Sequence, residues 1–86
     1  MERYELRIKP SAVREIERID TRMDRQRVVR RIQALAEDPR PPGCEKLAGR
    51  KGYRVRQGSY RVVYAVDDET RTVRVVKVGH RRDVYR

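Results

Sequence analysis

The fold is decided by residues 53–78, which read YRVRQGSYRVVYAVDDETRTVRVVKV. This stretch contains three runs rich in valine and tyrosine, separated by Gly58 and by the polar segment 67–71. Runs of β-branched and aromatic residues bounded by turn-forming residues are typical of strands. The stretch therefore predicts a three-stranded antiparallel meander, with strands at Tyr53–Gln57, Ser59–Val66 and Thr72–Val78.

A strand and two helices are predicted upstream of the meander. Residues 4–9 alternate between apolar and charged side chains, as a half-buried strand does. Pro10 ends this strand, and Ser11 is a candidate cap for the helix that follows. Apolar residues then recur at helical spacing in two blocks. The first helix is expected to end near Asp20, and the second to run from about Met23 to Glu37.

The order strand, helix, helix and three strands predicts an α+β fold. We expect the N-terminal strand to join the meander in one sheet, with the helical hairpin packed on one face. The proline-rich segment 38–43 is expected to be a loop, because proline cannot continue a helix. The 86 residues fall within the size of one domain, so residues 1–86 are interpreted as a single domain.

The charge of the chain indicates the kind of partner it binds. The formal charge is +10 at pH 7, and the predicted pI is near 10.6. Residues 1–43 hold 11 basic and 8 acidic residues, net +3, whereas residues 44–86 hold 12 and 5, net +7. Most of these cations are arginines, which bind phosphate through two parallel hydrogen bonds. A polyanion or an acidic protein is the expected partner.

Several classes of protein are disfavoured. Cys44 is the single cysteine, so no disulfide can form within the chain, and we interpret it as an ordinary loop residue. One cysteine and one histidine cannot make a zinc site, and we expect no metal or cofactor. No segment approaches the roughly 18 apolar residues of a membrane span, and the N-terminal segment lacks the apolar core of an export signal. The sequence predicts a cytoplasmic protein with no membrane partner.

Two segments carry a resemblance to a known family. They read YRVRQGSYRVVY at 53–64 and VGHRRDVYR at 78–86. Both are similar to the RelE branch of the RelE/ParE toxin superfamily, and the upstream order of elements is similar as well. The resemblance implies a RelE-like toxin of a type II toxin–antitoxin system, an mRNA interferase that cleaves mRNA in the ribosomal A site and so inhibits translation. It also implies an acidic, RelB-like antitoxin that binds the toxin in a hetero-oligomer.

The implied reaction is metal-independent attack of a ribose 2′-hydroxyl on the neighbouring phosphate. By resemblance, Arg61 and Arg81 contact the scissile phosphate, and Tyr85 is the base. His80 stands where the best-known RelE has a lysine. Because histidine is the residue that most often serves as a general acid or base, we expect His80 to act as one.

A wider set of basic residues is expected to bind RNA. Two lysines of the family appear here as Arg54 and Arg56, which share one face of their strand and can stabilise the charge of a phosphate. Arg61, on the next strand, is expected to join them. The expected RNA-binding residues are Arg54, Arg56, Arg82, Arg86 and Lys51.

Two other functions remain open on the sequence alone. A ParE-like toxin that inhibits DNA gyrase shares the fold and an acidic antitoxin partner, but it acts by binding a protein. A non-catalytic nucleic-acid-binding domain needs only the basic sheet, with no defined place for Tyr85. The pattern of arginines with a terminal tyrosine favours the RelE-like nuclease over both.

Overall fold

The computed structural model describes residues 3–47 and 52–82, which form two helices and five strands. The elements in chain order are β1 (Glu5–Ile8), α1 (Pro10–Glu17), α2 (Arg22–Ala34), β2 (Glu45–Lys46), β3 (Gly52–Gln57), β4 (Tyr60–Asp67) and β5 (Thr72–His80). The strands form one sheet in the order β1-β5-β4-β3-β2, with β1 parallel to β5 and the other pairs antiparallel. This architecture confirms the predicted α+β fold and adds the short edge strand β2.

The first helix begins one residue earlier than its predicted cap. Pro10 occupies the first turn of α1, where its missing N–H costs no hydrogen bond. The residue before it, Lys9, makes no side-chain cap, so Ser11 lies inside the helix and the predicted capping role is wrong. The helix ends at Glu17, ahead of the predicted Asp20.

The second helix is capped at its start and ends before its predicted limit. The Thr21 hydroxyl accepts a hydrogen bond from the Asp24 N–H at 3.1 Å. The helix ends at Ala34 rather than Glu37, because the N–H groups of the next three residues donate to carbonyls three positions back instead of four. Neither helix of the described residues is long and apolar enough to cross a bilayer.

The core lies between the sheet and the two helices. The sheet contributes Val55, Val62, Tyr64, Val66, Val73, Val75 and Val78, all buried. The helical segment contributes Ala12, Ile16, Ile19, Val28, Ile32, Leu35 and Ala36. Successive side chains of a strand point to opposite faces. We call the face of the sheet turned away from the helices the outer face; on β4 it carries Arg61, Val63 and Ala65.

Tyr64 anchors the proline-rich loop to the central strand. Its ring is fully buried, and its hydroxyl donates a hydrogen bond to the Pro39 carbonyl at 2.7 Å. Burial raises the pKa of the phenol, which therefore stays protonated and able to donate. The same loop contains Cys44, half-buried and reduced, whose N–H donates to the Pro41 carbonyl at 3.0 Å.

A β-bulge interrupts the pairing of β4 with β5. Val63 pairs with Lys77, but the next residue, Tyr64, pairs with Val75. Val76 is therefore left outside the ladder. The bulge reverses the alternation of β5 beyond this point.

The reversal decides which residues at the end of β5 face the helices. Val73 and Val75 are buried before the bulge, and Val78 is buried after it. Gly79 consequently lies on the outer face, opposite Arg61. The sequence pattern did not predict this bulge, since consecutive valines fit either face.

The edge of β5 beyond Val75 lies against α1. The Glu15 carboxylate accepts a hydrogen bond from the Val78 N–H at 3.0 Å, and its other oxygen is 3.7 Å from the Lys77 ammonium. Glu15 thus satisfies a backbone donor next to the bulge and ties α1 to the end of β5.

Replacing Tyr64 by phenylalanine is expected to lower the free energy of unfolding by about 1–3 kcal/mol, because the Pro39 carbonyl loses its buried donor. Urea unfolding measures the change. Tyr53→Phe serves as the control, since the Tyr53 hydroxyl accepts a hydrogen bond from an exposed partner, Arg40. Equal losses in the two variants would contradict the anchoring role of Tyr64.

Candidate functional site: an arginine face of the sheet

Three arginines lie side by side on the outer face of β3 and β4. Arg56 pairs directly with Arg61 across the two strands, and Arg54 is two positions from Arg56 on the same strand. Adjacent strands are about 4.8 Å apart and alternate residues about 6.6 Å apart. Three guanidinium groups can therefore approach the same phosphate group, and all three belong to residues of the predicted site.

Arg81 extends this group at the end of β5. Its N–H donates to the Ser59 carbonyl at 2.8 Å, which continues the β4–β5 ladder past the last strand residue. The alternation then places Arg81 on the same side as Gly79 and Arg61. Because Gly79 has no side chain, nothing from β5 stands between the two arginines. We call Arg54, Arg56, Arg61 and Arg81 the arginine face.

A tight turn sets the register of the first pair. Gln57 pairs with Tyr60, so Gly58 and Ser59 form a two-residue hairpin turn. Gly58 has φ +60°, as the first central residue of a type II′ turn requires. A shift of one residue would move Arg61 to the helix side of the sheet. The turn thus keeps Arg56 and Arg61 together.

A carboxylate from β2 lies among these arginines. Glu45 stands opposite Arg54, and one of its oxygens accepts a hydrogen bond from the Arg54 guanidinium at 2.6 Å. Its other oxygen is 3.6 Å from the Arg56 guanidinium. The hydrogen bond from Arg54 and the charges of Arg54, Arg56 and Arg61 lower the pKa of Glu45, so it remains ionised.

Glu45 was not among the site residues predicted from the sequence. The only signal was an acidic residue a few positions before the meander, and β2 is too short to show a periodic pattern. In the folded chain, Glu45 supplies an anion at the place where the arginines converge. The arginine face is therefore built to hold negative charge.

His80 is separated from the arginine face. It pairs with Tyr60, and the two rings meet edge to face with centroids 5.9 Å apart. This places His80 on the helix side of the sheet, opposite to Arg61. Its Nδ1 accepts a weak hydrogen bond from the Arg82 N–H at 3.3 Å, so the imidazole helps shape the turn after β5. Its role as an acid or base stays a prediction.

The remaining residues of the predicted site divide into two groups. Arg82 is exposed in the turn after β5, next to Arg81. Lys51, Tyr85 and Arg86 lie outside the described residues, and their roles stay predictions.

A second charged cluster ties the loop to the other end of the sheet. The Arg40 guanidinium donates to both oxygens of Asp68, at 3.1 and 2.8 Å, and to the Tyr53 hydroxyl at 2.9 Å. The Tyr4 hydroxyl donates to Asp68 at 2.6 Å. Hydrogen bonds from Arg40 and Tyr4 lower the pKa of Asp68, whereas the bond to Asp68 raises the pKa of Tyr4. These groups satisfy one another, which marks the cluster as structural.

Comparison with known proteins shows similarity to bacterial toxins. The family described as "ParE toxin of type II toxin-antitoxin system, parDE" matches residues 6–85. Toxin RelG of Mycobacterium tuberculosis is 33% identical over 86 residues, which cover 96% of this chain and 97% of RelG.

Solved toxin–antitoxin complexes share the fold. The RelBE2 complex of Mycobacterium tuberculosis matches with a TM-score of 0.78 and 27% identity, over 91% of this chain and 98% of that chain. The intact RelBE complex of Escherichia coli matches with a TM-score of 0.75 and 30% identity, over 90% and 95%.

Stability should depend on the ionisation of Glu45. Because its pKa is lowered in the folded chain, the stabilisation is present above the ordinary glutamate pKa and is lost as the pH falls below it. Glu45→Gln should therefore be less stable than the wild type near neutral pH, with a difference that shrinks at about pH 3. Urea midpoints at the two pH values measure this.

Glu17→Gln is the matched control, because it removes an exposed carboxylate from α1 and leaves the arginine face unchanged. A stability difference for Glu45→Gln that is the same at both pH values would contradict the proposed ionic contact.

Proposed function

The chain belongs to the family described as the ParE toxin of type II toxin–antitoxin systems, within the RelE/ParE superfamily. Within this superfamily we propose that it is a RelE-like endoribonuclease that cleaves mRNA on the ribosome. The observation that carries the proposal is the arginine face. Arg54, Arg56 and Arg61 converge on one exposed patch that already holds a carboxylate. Arg81 borders it through the ladder with Ser59.

The arginine face suits cleavage of a phosphodiester without a metal. In the proposed step the ribose 2′-oxygen bonds to phosphorus while the bond to the 5′-oxygen breaks. The 2′-proton passes to a base, and the 5′-oxygen receives a proton, which leaves a 2′,3′-cyclic phosphate and a 5′-hydroxyl. Negative charge builds on the phosphate oxygens during this step, and arginines stay protonated throughout.

Individual roles follow from position. Arg61 and Arg81 would hold the oxygens of the scissile phosphate, with Arg54 and Arg56 on the neighbouring strand balancing the remaining charge. We propose Tyr85 as the base, on the strength of the family resemblance. A phenol that approaches several arginines would ionise more readily, because nearby positive charge favours the phenolate.

Glu45 gives the free protein a substitute for the substrate anion. A phosphate that binds Arg54 and Arg56 must displace the Glu45 carboxylate from the same donors. The contact with Glu45 keeps the arginine side chains ordered before RNA binds. The same contact competes with phosphate and so lowers the affinity for RNA.

The proposed protein partner is an acidic, RelB-like antitoxin. Two of the similar structures are complexes of a toxin with its antitoxin. The formal charge of +10 on this chain favours an acidic partner. We propose that the toxin is stored with its antitoxin in a hetero-oligomer in the cytoplasm and acts on ribosomes when released.

The second candidate is inhibition of DNA gyrase. It is favoured by one observation, the match of residues 6–85 to a family described by the ParE toxin of parDE systems. In that case the toxin would bind a protein, and the arginine face would not act on RNA. A supercoiling assay with purified gyrase distinguishes it from the nuclease.

Arg61→Ala and Arg81→Ala are each expected to reduce cleavage of A-site mRNA by about 100-fold or more, as loss of a donor to the transition state does. The measurement uses purified translating ribosomes with a defined mRNA and maps the 3′ ends. Arg27→Ala, which removes an exposed arginine from α2, is the matched control and should cleave normally.

Both variants should still bind the antitoxin. This binding would show that they are folded and that the substitutions removed catalysis. Normal cleavage by both variants would overturn the assignment. An absence of cleavage by the wild type, together with inhibited supercoiling, would establish the gyrase candidate instead.

Glu45→Gln should bind RNA about threefold more tightly, because the competing carboxylate is removed from an exposed site. The ligand is a single-stranded oligonucleotide with 2′-O-methyl riboses, which cannot be cleaved, and fluorescence anisotropy measures its affinity. Glu17→Gln controls for the change in net charge. Weaker binding by Glu45→Gln would show that the carboxylate helps hold RNA rather than competes with it.

A further inference from the structure

The outer face carries a second pair of opposed arginines. Arg7 on β1 pairs with Arg74 on β5 in the parallel register. The two backbones are about 4.8 Å apart there, so the two positive charges repel one another. The first such pair, Arg56 with Arg61, has Glu45 beside it, which offsets the repulsion.

The second pair is poorly compensated. The Arg7 guanidinium is 3.2 Å from the Glu5 carboxylate, but both side chains are 60% exposed, and such a pair adds little in water. Arg74 is exposed, and within the described part of the chain it makes no ion pair or side-chain hydrogen bond. An anion bound between Arg7 and Arg74 would offset their repulsion.

The second pair lies diagonally across the outer face from Arg56 and Arg61. Arg74 pairs with Ala65, and Ala65 is four residues from Arg61 on β4. The pairs are separated by about 13 Å along the strand direction and by two strand spacings, about 10 Å, across the sheet, so their centres are about 16 Å apart. Between them the outer face of β4 carries Val63 and Ala65, which are small and leave the path unobstructed.

A groove occupies this end of the outer face. Its volume is about 920 Å³, and both Arg7 and Arg74 line it. Four carboxylates line the groove as well, those of Glu5, Asp67, Asp68 and Glu69. Glu5 lies 3.2 Å from Arg7, and Asp68 binds Arg40. Within the described residues none of the four forms an ion pair with Arg74, so the Arg74 guanidinium is left for a ligand.

We propose that Arg7 and Arg74 form a second phosphate-binding site for the same RNA strand that the arginine face holds. At a rise of about 3.4 Å per nucleotide of a stacked strand, the separation of about 16 Å corresponds to about five nucleotides. Single-stranded RNA would thus cross the outer face from Arg61 to the groove. This inference rests on the proposed function and adds to it a contact outside the cleavage centre.

The lining of the groove favours RNA over an acidic protein segment. Besides Arg7 and Arg74, the groove is lined by Tyr53, Thr70 and Thr72, whose hydroxyls also form hydrogen bonds within the protein. Hydroxyls and guanidinium groups bind phosphates, sugars and base edges. A docked helix needs large apolar pockets as well, and the outer face of β4 offers only small side chains.

The test compares a short and a long oligonucleotide with uncleavable 2′-O-methyl riboses, of about three and about eight nucleotides. The short strand spans only the arginine face, whereas the long one also reaches the groove. Full-length toxin and the double variant Arg7→Ala/Arg74→Ala are titrated by fluorescence anisotropy over a range of salt concentrations. Arg27→Ala/Arg30→Ala, which removes two exposed arginines from α2, is the matched control.

The wild type should bind the long strand more tightly than the short one. The double variant at Arg7 and Arg74 should lose about tenfold in affinity for the long strand, and its dependence on salt should weaken by about 1.4 in the log–log slope. Its affinity for the short strand should not change, and the control variant should match the wild type on both strands.

Four results would overturn the inference. If the double variant at Arg7 and Arg74 loses equal affinity for both strands, or no affinity for the long strand, the groove is not a second binding site for RNA. Weakened antitoxin binding with unchanged affinity for the long strand would assign the groove to an acidic protein. If the wild type binds neither strand, both the proposed function and the second phosphate-binding site are wrong.

Discussion

Strand β5 places valines against the helices at positions 73, 75 and 78, a spacing that a regular strand cannot provide. Val76 makes it possible by leaving the ladder with β4. Because the bulge reverses the alternation, Gly79 and Arg81 lie on the outer face rather than under the helices. The same bulge therefore buries the valines against the helices and places a cation beside Arg61.

The central strands serve the core and the arginine face at once. Val62 and Tyr64 are buried on one side of β4, while the arginines on the other side repel one another. The core holds the backbone in place against this repulsion, and Glu45 reduces it locally. A site that concentrates positive charge can therefore remain ordered without its ligand.

The sequence predicted the features that depend on local periodicity. Alternation and helical spacing predicted the helical hairpin and the meander, and put Arg54 and Arg56 on one face. Features set by pairing between distant segments were missed. Glu45 meets Arg54 only through a two-residue strand, and the side of the sheet that His80 occupies depends on a bulge among consecutive valines. Within the described residues, the sequence therefore predicted the arginines of the site better than their counter-ion.

The parallel pairing of β1 with β5 joins residues 5–8 to residues 72–75, near the two ends of the described chain. A growing polypeptide cannot form this contact until β5 has been made, and contacts so distant in sequence form slowly. Arg81 takes its place later still, after the last strand. The order of synthesis thus delays completion of the fold in the nascent toxin. During this delay the sheet is open at one edge and the cationic surface is incomplete.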